Sequence, residues 1–322
     1  MVLKIIIRRI FLIFPMLIGI TFISFVFISM APGDYLSTLK MNPLISPETI
    51  EEMRKKFGLD KPFYLQYLYW LWRVVHLDLG ESFFYRAKVI DLISSRAFNT
   101  LILSLSSIFF AWLIGVPLGI ISAIKKDTFI DRMIQFFSFI WMSFPSFFLA
   151  FLLLLLVVQT GILPPGGTIS SYYYLLSPAE KVYDRILHLI LPTAVLSSIS
   201  MAGIVRLMRG YYIQALSENA VLFARAKGLP LLRVYFVHAL RLAINPFITL
   251  LGYEISSLLS GAALVETVLH LQGLGTLMLK AVLSQDIYLI MGGVLTSSLL
   301  LMLGNLIADI LLLFADPRAR ME

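Results

Sequence analysis

The sequence predicts an all-α integral membrane protein with six transmembrane helices. Of its 322 residues, 59% are hydrophobic and only 14% are charged, whereas soluble domains carry about 25% charged residues. The apolar residues gather into six continuous runs, each close to or above the roughly 20 residues that a helix needs to cross a bilayer. Spanning strands alternate in polarity, so continuous runs favour helices over a barrel. The predicted spans are residues 10–30, 100–122, 133–160, 186–208, 243–265 and 287–314.

The first span begins like a signal peptide, with basic residues before an apolar run. The run at residues 10–30 is longer than the roughly 7–15 residues of a signal peptide's apolar core. Pro32 stands where a signal-peptide cleavage site would be needed. We therefore interpret the run as a retained transmembrane helix.

The distribution of Lys and Arg predicts the orientation. With the N-terminus placed in the cytoplasm, fourteen of the 26 basic residues fall on inside segments and three on the short outside segments. The remaining nine lie in the long outside segment at residues 31–99, where the positive-inside bias is weak. Both termini are thus predicted to be cytoplasmic. The net charge of +7 reflects this topology, which removes the argument for a nucleic-acid partner.

The topology also predicts how the chain is divided. In the outside segment, Ser46 is predicted to cap a helix that has Pro47 at its first position and that Gly58 ends. The Tyr- and Trp-rich run at residues 62–75 predicts a second helix, which lies either at the headgroup level or against the spans. The predicted regions are residues 1–99 (first span and outside segment), 100–316 (five spans, with a cytoplasmic loop at about 209–242) and 317–322 (cytoplasmic tail).

Motifs for catalysis, metal binding and nucleotide binding are missing from the sequence. The chain has no Cys, and its four His are widely spaced without a paired helical motif, so we expect no metal site. It contains neither the G-x-x-x-x-G-K-[ST] phosphate loop nor the G-x-S-x-G nucleophile motif. We therefore expect no catalytic residue and no bound cofactor in this chain.

Three polar residues in or beside apolar runs are candidates for lining a translocation path: Glu254, Asn305 and Asp309. A carboxylate at mid-bilayer costs about 2.5–3.5 kcal/mol, so each acid should face protein or water rather than lipid. For Glu254, a path or proton relay and a helix–helix hydrogen bond remain open alternatives. For Glu266, near the outer end of its span, a structural role such as a helix–helix hydrogen bond is favoured.

The predicted cytoplasmic loop contains a short basic segment that begins ARAKGLP. A helix is predicted up to Lys227, because Gly228 suits the left-handed position after a helix and Pro230 prevents continuation. The helix would present Leu222 and Phe223, and the loop is too small to bury them in a core of its own. Anionic lipid headgroups are an alternative for the basic residues, but headgroups would not need so sharply ended a helix. A partner protein is the favoured interpretation.

The same segment resembles the cytoplasmic coupling loop of permeases from binding-protein-dependent ABC importers. Its motifs are similar to those of the peptide/nickel branch. A-R-A-K-G-L stands at residues 224–229 and H-A-L-R at residues 238–241. The broader importer signature is only partly kept, because Leu222 and Phe223 replace its Glu and Ala and Arg241 replaces its Pro. Resembling motifs extend over nearly the whole chain: PGD, FGLDKP, LDLGES, GVPLG, SFPSFFLA, GILPPGG, HLILP, VET, GLG (after Gln272, where Pro is frequent) and DPRAR.

The resemblance implies a type I ABC importer permease fold with an extracytoplasmic insert after the first helix, in a bacterial or archaeal inner membrane. It implies the first of two paralogous permeases, which pairs with the second, with two cytoplasmic ATPases that hold ATP and Mg, and with an extracytoplasmic solute-binding protein. Membrane lipid would be a further partner. The cargo would be a peptide, or nickel or another small solute. The residues implied in ATPase coupling are Leu222, Phe223, Ala224, Arg225, Ala226, Lys227, Gly228 and Leu229.

Two other classes of protein compete with this interpretation. A proton-coupled secondary transporter would use Glu254 or Asp309, but such transporters usually show two related halves, and the sequence has no evident internal repeat. A membrane scaffold or sensor is disfavoured because the sequence contains no sizeable soluble signalling domain.

Overall fold

The structure is a computed structural model that describes residues 2–33, 35–39, 46–244, 246–247 and 263–315. Over these residues the chain is helical, with connecting turns and no extended strand. A single turn of 3-10 helix covers Tyr173–Leu175, and a π-helical turn covers Val234–Ala239. The helices are α1 Val2–Met30, α2 Tyr35–Leu39, α3 Pro47–Lys56, α4 Phe63–Val75, α5 Val89–Ile124, α6 Phe129–Ser143, α7 Ser146–Thr160, α8 Pro178–Ser217, α9 Asn219–Ala226, α10 Leu231–Arg233, α11 Leu274–Leu283 and α12 Ile287–Ala315.

Four of the described helices, α1, α5, α8 and α12, are long and apolar enough to cross a membrane. The bent pair α6 and α7 adds a fifth span if the two helices are counted together. The remaining predicted span, residues 243–265, lies largely outside the described residues. The described helices therefore agree with the predicted all-α membrane fold.

The predicted span at residues 133–160 is not one helix. It is divided into α6 and α7, which are bent by 98° at a break next to Pro145. Phe144 is extended, with φ −84° and ψ 127°, because the ring of a following proline disfavours the α-region. Pro145 also has no N–H to donate to a preceding turn. The prolyl residue thus ends one helix and starts the next.

The long helices α5 and α8 form the most extensive helix pair of the described chain. With 36 and 40 residues, they measure about 54 and 60 Å, so both project beyond the bilayer and begin earlier than predicted. A β-carbon at Gly119 would lie only 2.7 Å from the Met208 Cβ and 2.8 Å from the Val205 carbonyl oxygen. Gly119, the second glycine of the GVPLG motif, therefore permits the two backbones to approach closely.

The N-terminal end of α8 is held by hydrogen bonds. Ser177 and Glu180 form a capping box there, and the buried Asp184 carboxylate accepts hydrogen bonds from the backbone N–H and hydroxyl of Ser170. At its other end α8 continues to Ser217, so the first part of the loop predicted at residues 209–242 is helical. The helix thus runs as one element up to α9.

The outside segment packs against the membrane helices. Ser46 caps α3 by accepting a hydrogen bond from the Thr49 N–H, as predicted. On α4, Tyr67 and Trp70 are buried in a cluster with Phe25 of α1 and with α12. The opposite face of α4 exposes aromatic side chains. The sequence left two positions open for this helix, at the headgroup level or against the spans. One face of α4 packs against the spans.

Candidate functional site

Helix α9 is anchored to the bundle by one face and exposed on the other. Val221 and Ala224 are buried in a cluster that includes Tyr212 of α8 and Val234. Between the two anchors, Leu222 is 48% exposed and Phe223 is 61% exposed. Because the anchoring residues fix the orientation of the helix, the apolar side chains that remain exposed are held in a defined position.

A glycine ends α9 in the way the sequence predicts. Gly228 has φ +74°, a left-handed conformation that side-chain-bearing residues adopt at a cost of about 1–2 kcal/mol. The Leu229 N–H donates to the Ala224 carbonyl at 3.4 Å, and the Gly228 N–H donates to the Arg225 carbonyl at 2.9 Å. This pair of bonds is a Schellman motif, which satisfies carbonyls that would otherwise lack donors. The predicted role of Gly228 in ending the helix is confirmed.

The chain after Gly228 exposes further apolar residues. Leu231 and Leu232 of α10 are both exposed, and the π-helical turn that follows places Val234 and Ala239 in the same cluster as the anchors of α9. Basic side chains lie on aromatic rings here: the Lys227 Nζ is 4.6 Å from the centre of the Phe223 ring. The loop therefore presents exposed apolar and basic side chains on a backbone that is fixed to the bundle.

An ion pair connects α8 to the first turn of α6. The Arg209 Nε and Nη2 atoms lie 2.8 and 2.7 Å from the two Asp131 carboxylate oxygens. The Ser122 hydroxyl and the Asp127 N–H also donate to this carboxylate, whose side chain is 4% exposed. Arg209 precedes the end of α8 by about two helical turns. The pair therefore fixes the segment that carries α9 to the neighbouring helices.

This pair was not predicted from the sequence. Arg209 was counted only among the basic residues that set the topology, and Asp131 was not singled out. The two residues are separated by 78 positions, and no local pattern links them. The available signal was an acid within a predicted cytoplasmic turn that also carries Lys125 and Lys126.

A second buried carboxylate joins α5 to α11. Glu266 is fully buried; its oxygens accept hydrogen bonds from the Thr100 hydroxyl at 2.8 Å and the Thr276 N–H at 2.9 Å. Thr276 lies in the first turn of α11, where backbone N–H groups lack partners within the helix. A β-carbon at Gly273 would overlap the carboxylate. The VET and GLG motifs therefore form one structural unit, and the favoured interpretation of Glu266 as a helix–helix hydrogen bond is confirmed.

No described contact joins the three candidate path residues to the loop at residues 209–242. Asn305 is exposed on α12, and the Asp309 carboxylate lies 3.2 Å from the Arg9 Nε atom of α1. Glu254 lies outside the described residues. A role of these three residues in translocation stays a prediction.

Its long apolar helices place the chain in the class of multi-pass membrane proteins. Residues 115–321 match the family described as binding-protein-dependent transport system inner membrane component, and residues 2–105 match the family of its N-terminal part. The chain belongs to this family of transport permeases, which is not a family of enzymes. The resemblance to ABC importer permeases is thereby confirmed, together with the type I fold.

Curated relatives are similar over nearly the full length of both chains. The oligopeptide transport system permease protein AppB of Bacillus subtilis is 40% identical over 314 residues, which cover 97% of this chain and 98% of the relative. The dipeptide transport system permease protein DppB of Escherichia coli is 35% identical over 99% of each chain. The di/tripeptide permease of Pseudomonas aeruginosa is 34% identical over 97% of each.

Proposed function

We propose that this chain is a permease subunit of an ATP-driven importer for peptides and forms half of the translocation pathway. Support comes from its family and from relatives that are named as permeases for oligopeptides, dipeptides or di- and tripeptides. Nickel or another small solute is the alternative cargo within the same importer class. The chain itself carries out transport rather than catalysis.

The complex would contain other proteins besides this chain. A second, homologous permease would complete the pathway, with this chain as the first of the two paralogues. Two cytoplasmic ATPase subunits would bind ATP and Mg, and an extracytoplasmic binding protein would deliver the solute. Both termini of this chain would lie in the cytoplasm, on the same side as α9, as the distribution of Lys and Arg indicates.

The observation that carries this proposal is that α9 is buried on one face and exposed on the other. Val221 and Ala224 fix the helix to the bundle, while Leu222 and Phe223 remain exposed and apolar. A groove in an ATPase would cover these two side chains, and the Arg209–Asp131 ion pair would pass its movement to the membrane helices. A helix that is anchored on one face and exposed on the other suits transmission of force between two proteins.

Gly228→Val is expected to abolish most ATP-driven uptake while the protein still accumulates in the membrane. A β-carbon at this site has open space, since no atom lies within 4 Å. The expected effect comes from the left-handed backbone, which costs a β-branched residue about 2 kcal/mol and would end α9 differently. The measurement is solute uptake by cells, with the membrane level of the protein determined in parallel. Normal uptake would contradict the coupling role.

Gly58→Val is a matched control for backbone strain. Gly58 also has a positive φ, of +67°, and open space around its β-carbon position, but it lies at the end of α3 in the outside segment. This variant is expected to leave co-purification of the ATPase subunits unchanged, whereas Gly228→Val is expected to reduce it.

Replacing Leu222 and Phe223 together with serine is expected to reduce the amount of co-purified ATPase at least tenfold. Buried aromatic anchors at protein interfaces contribute about 2 kcal/mol or more, and neither side chain belongs to the hydrophobic cluster that anchors α9. Leu175→Ser, at a side chain that is 89% exposed in the outer loop, serves as the control. Full uptake by the double variant, driven by a proton gradient without ATPases, would instead support the secondary transporter.

A further inference from the structure

Arg206 lies in α8, three residues before Arg209, within a helix long and apolar enough to span the membrane. The two arginines are about 4.5 Å apart along the helix axis. A charged side chain in a membrane helix requires water or a partner of opposite charge, and it marks a functional site when neither is supplied by the fold.

The two arginines differ in their partners. Arg209 forms a two-point ion pair with Asp131, so its charge is compensated. The Arg206 guanidinium carbon lies 4.8 Å from the centre of the Phe139 ring, and its Nη1 lies 3.2 Å from the Met142 Sδ. A thioether is a weak acceptor, and within the described ranges no carboxylate lies at ion-pair distance from Arg206. Among the residues that the structure describes, no acidic side chain therefore neutralises its positive charge.

A groove of about 530 Å³ adjoins this guanidinium, between α6 and α8. On the α8 side it is lined by Gly203 and Gly210, where an added β-carbon would meet no atom within 4 Å. On the α6 side Gln135 is already engaged, because its amide donates to the Ser122 hydroxyl. The groove is therefore open. Two arginines line it: Arg209 is paired with Asp131, whereas Arg206 has no acidic partner among the described residues.

We propose that this groove binds the phosphate of an anionic phospholipid from the cytoplasmic leaflet, with Arg206 as the residue that contacts the phosphate. Guanidinium and phosphate form charge-assisted, two-point hydrogen bonds. Arg206 is one helical turn from Arg209, whose partner Asp131 lies in the first turn of α6, just after the turn that carries Lys125 and Lys126 on the predicted cytoplasmic side.

The surroundings of the groove favour a lipid over a soluble anion. Phe136, Phe139 and Leu207 are exposed on the two helices that form it, and such side chains contact acyl chains. Basic sites between membrane helices on the cytoplasmic side bind anionic headgroups. A lipid satisfies the guanidinium and covers the apolar surface at the same time, whereas a free anion satisfies only the charge.

The test measures the thermal unfolding midpoint of the complex, purified in neutral detergent, as phosphatidylglycerol is added. Phosphatidylcholine and inorganic phosphate are the parallel additions. Phosphatidylglycerol is expected to raise the midpoint of the unmodified protein, and Arg206→Gln is expected to weaken its apparent affinity about fivefold. Arg132→Gln, which removes an exposed cation from the first turn of α6, is the matched control and should retain the affinity.

A second measurement does not depend on Arg206. The chain has no cysteine, so Gly203→Cys introduces a single thiol into the groove. Phosphatidylglycerol is expected to protect this thiol from a neutral alkylating reagent, and alkylation is expected to remove the stabilisation by phosphatidylglycerol. Equal affinity of the Arg206→Gln and unmodified proteins, equal protection by phosphatidylcholine, or full protection by inorganic phosphate alone would each overturn the lipid site.

Discussion

Gly273→Ala is expected to lower the stability of the protein by about 3 kcal/mol and to reduce its level in the membrane. The alanine β-carbon would occupy the position of the Glu266 carboxyl group. This group would then lose the Thr100 hydroxyl and the Thr276 N–H as donors while remaining buried. Leaving a buried polar group without its hydrogen-bond partners costs more than the net contribution of the intact hydrogen bonds.

The overlap between the two residues permits a sharper test. In the double variant Gly273→Ala/Glu266→Ala the carboxylate is gone, so the alanine at 273 has no group to displace. The double variant is therefore expected to be about as stable as Glu266→Ala alone, a strongly non-additive result. The measurement is thermal unfolding of the purified protein. Gly19→Ala, in α1 with no atom near its β-carbon position, is the control for glycine replacement in general. Additive effects of the two substitutions would refute the overlap.

Arg209→Ala is expected to cost about 3–5 kcal/mol and to abolish transport. The substitution leaves the Asp131 carboxylate buried without its two-point partner, and breaking such a pair from one side is strongly destabilising. The expected loss of transport has a separate cause, since α8 would no longer be held to the first turn of α6. Uptake and thermal unfolding, measured on the same preparations, separate the two effects.

The neutral pair Asp131→Asn/Arg209→Gln distinguishes the ion pair from a general requirement for arginine. With both charges removed, no buried charge is left alone, so the pair variant is expected to be more stable than Arg209→Ala. Arg132→Ala, next to Asp131 in sequence but exposed, should change stability by no more than about 0.5 kcal/mol. If Arg132→Ala lowered the stability as much as Arg209→Ala, that result would contradict a specific role of the ion pair.

Local features of this fold could be predicted from the sequence because neighbouring residues determine them. Ser46 and Pro47 define the start of α3, and Gly228 defines the end of α9, through hydrogen bonds and dihedral angles within a few residues. The bend at Pro145 had a local signal as well, but its size of 98° depends on how α6 and α7 pack. The identity of the family followed from motifs in order along the chain.

Contacts between distant segments could not be predicted in the same way. Glu266 and Thr100 are 166 positions apart, and their meeting depends on the rotation and register of two helices. Glu254, Asn305 and Asp309 stand out in apolar surroundings and were therefore selected as candidates, whereas Asp131 does not stand out in this way. The closely packed Gly273 had no signal either, because a motif such as GLG is also typical of an ordinary tight turn.

The continuity of α8 has a mechanical consequence. A helix of about 60 Å is bonded through Asp184 to Ser170 in the preceding loop and through Arg209 to Asp131 of α6, so it connects two distant parts of the chain. A displacement of the end next to α9 would therefore be passed along one continuous helix to the loop before its other end. In the proposed importer, a single helix would thus couple events on the two sides of the membrane.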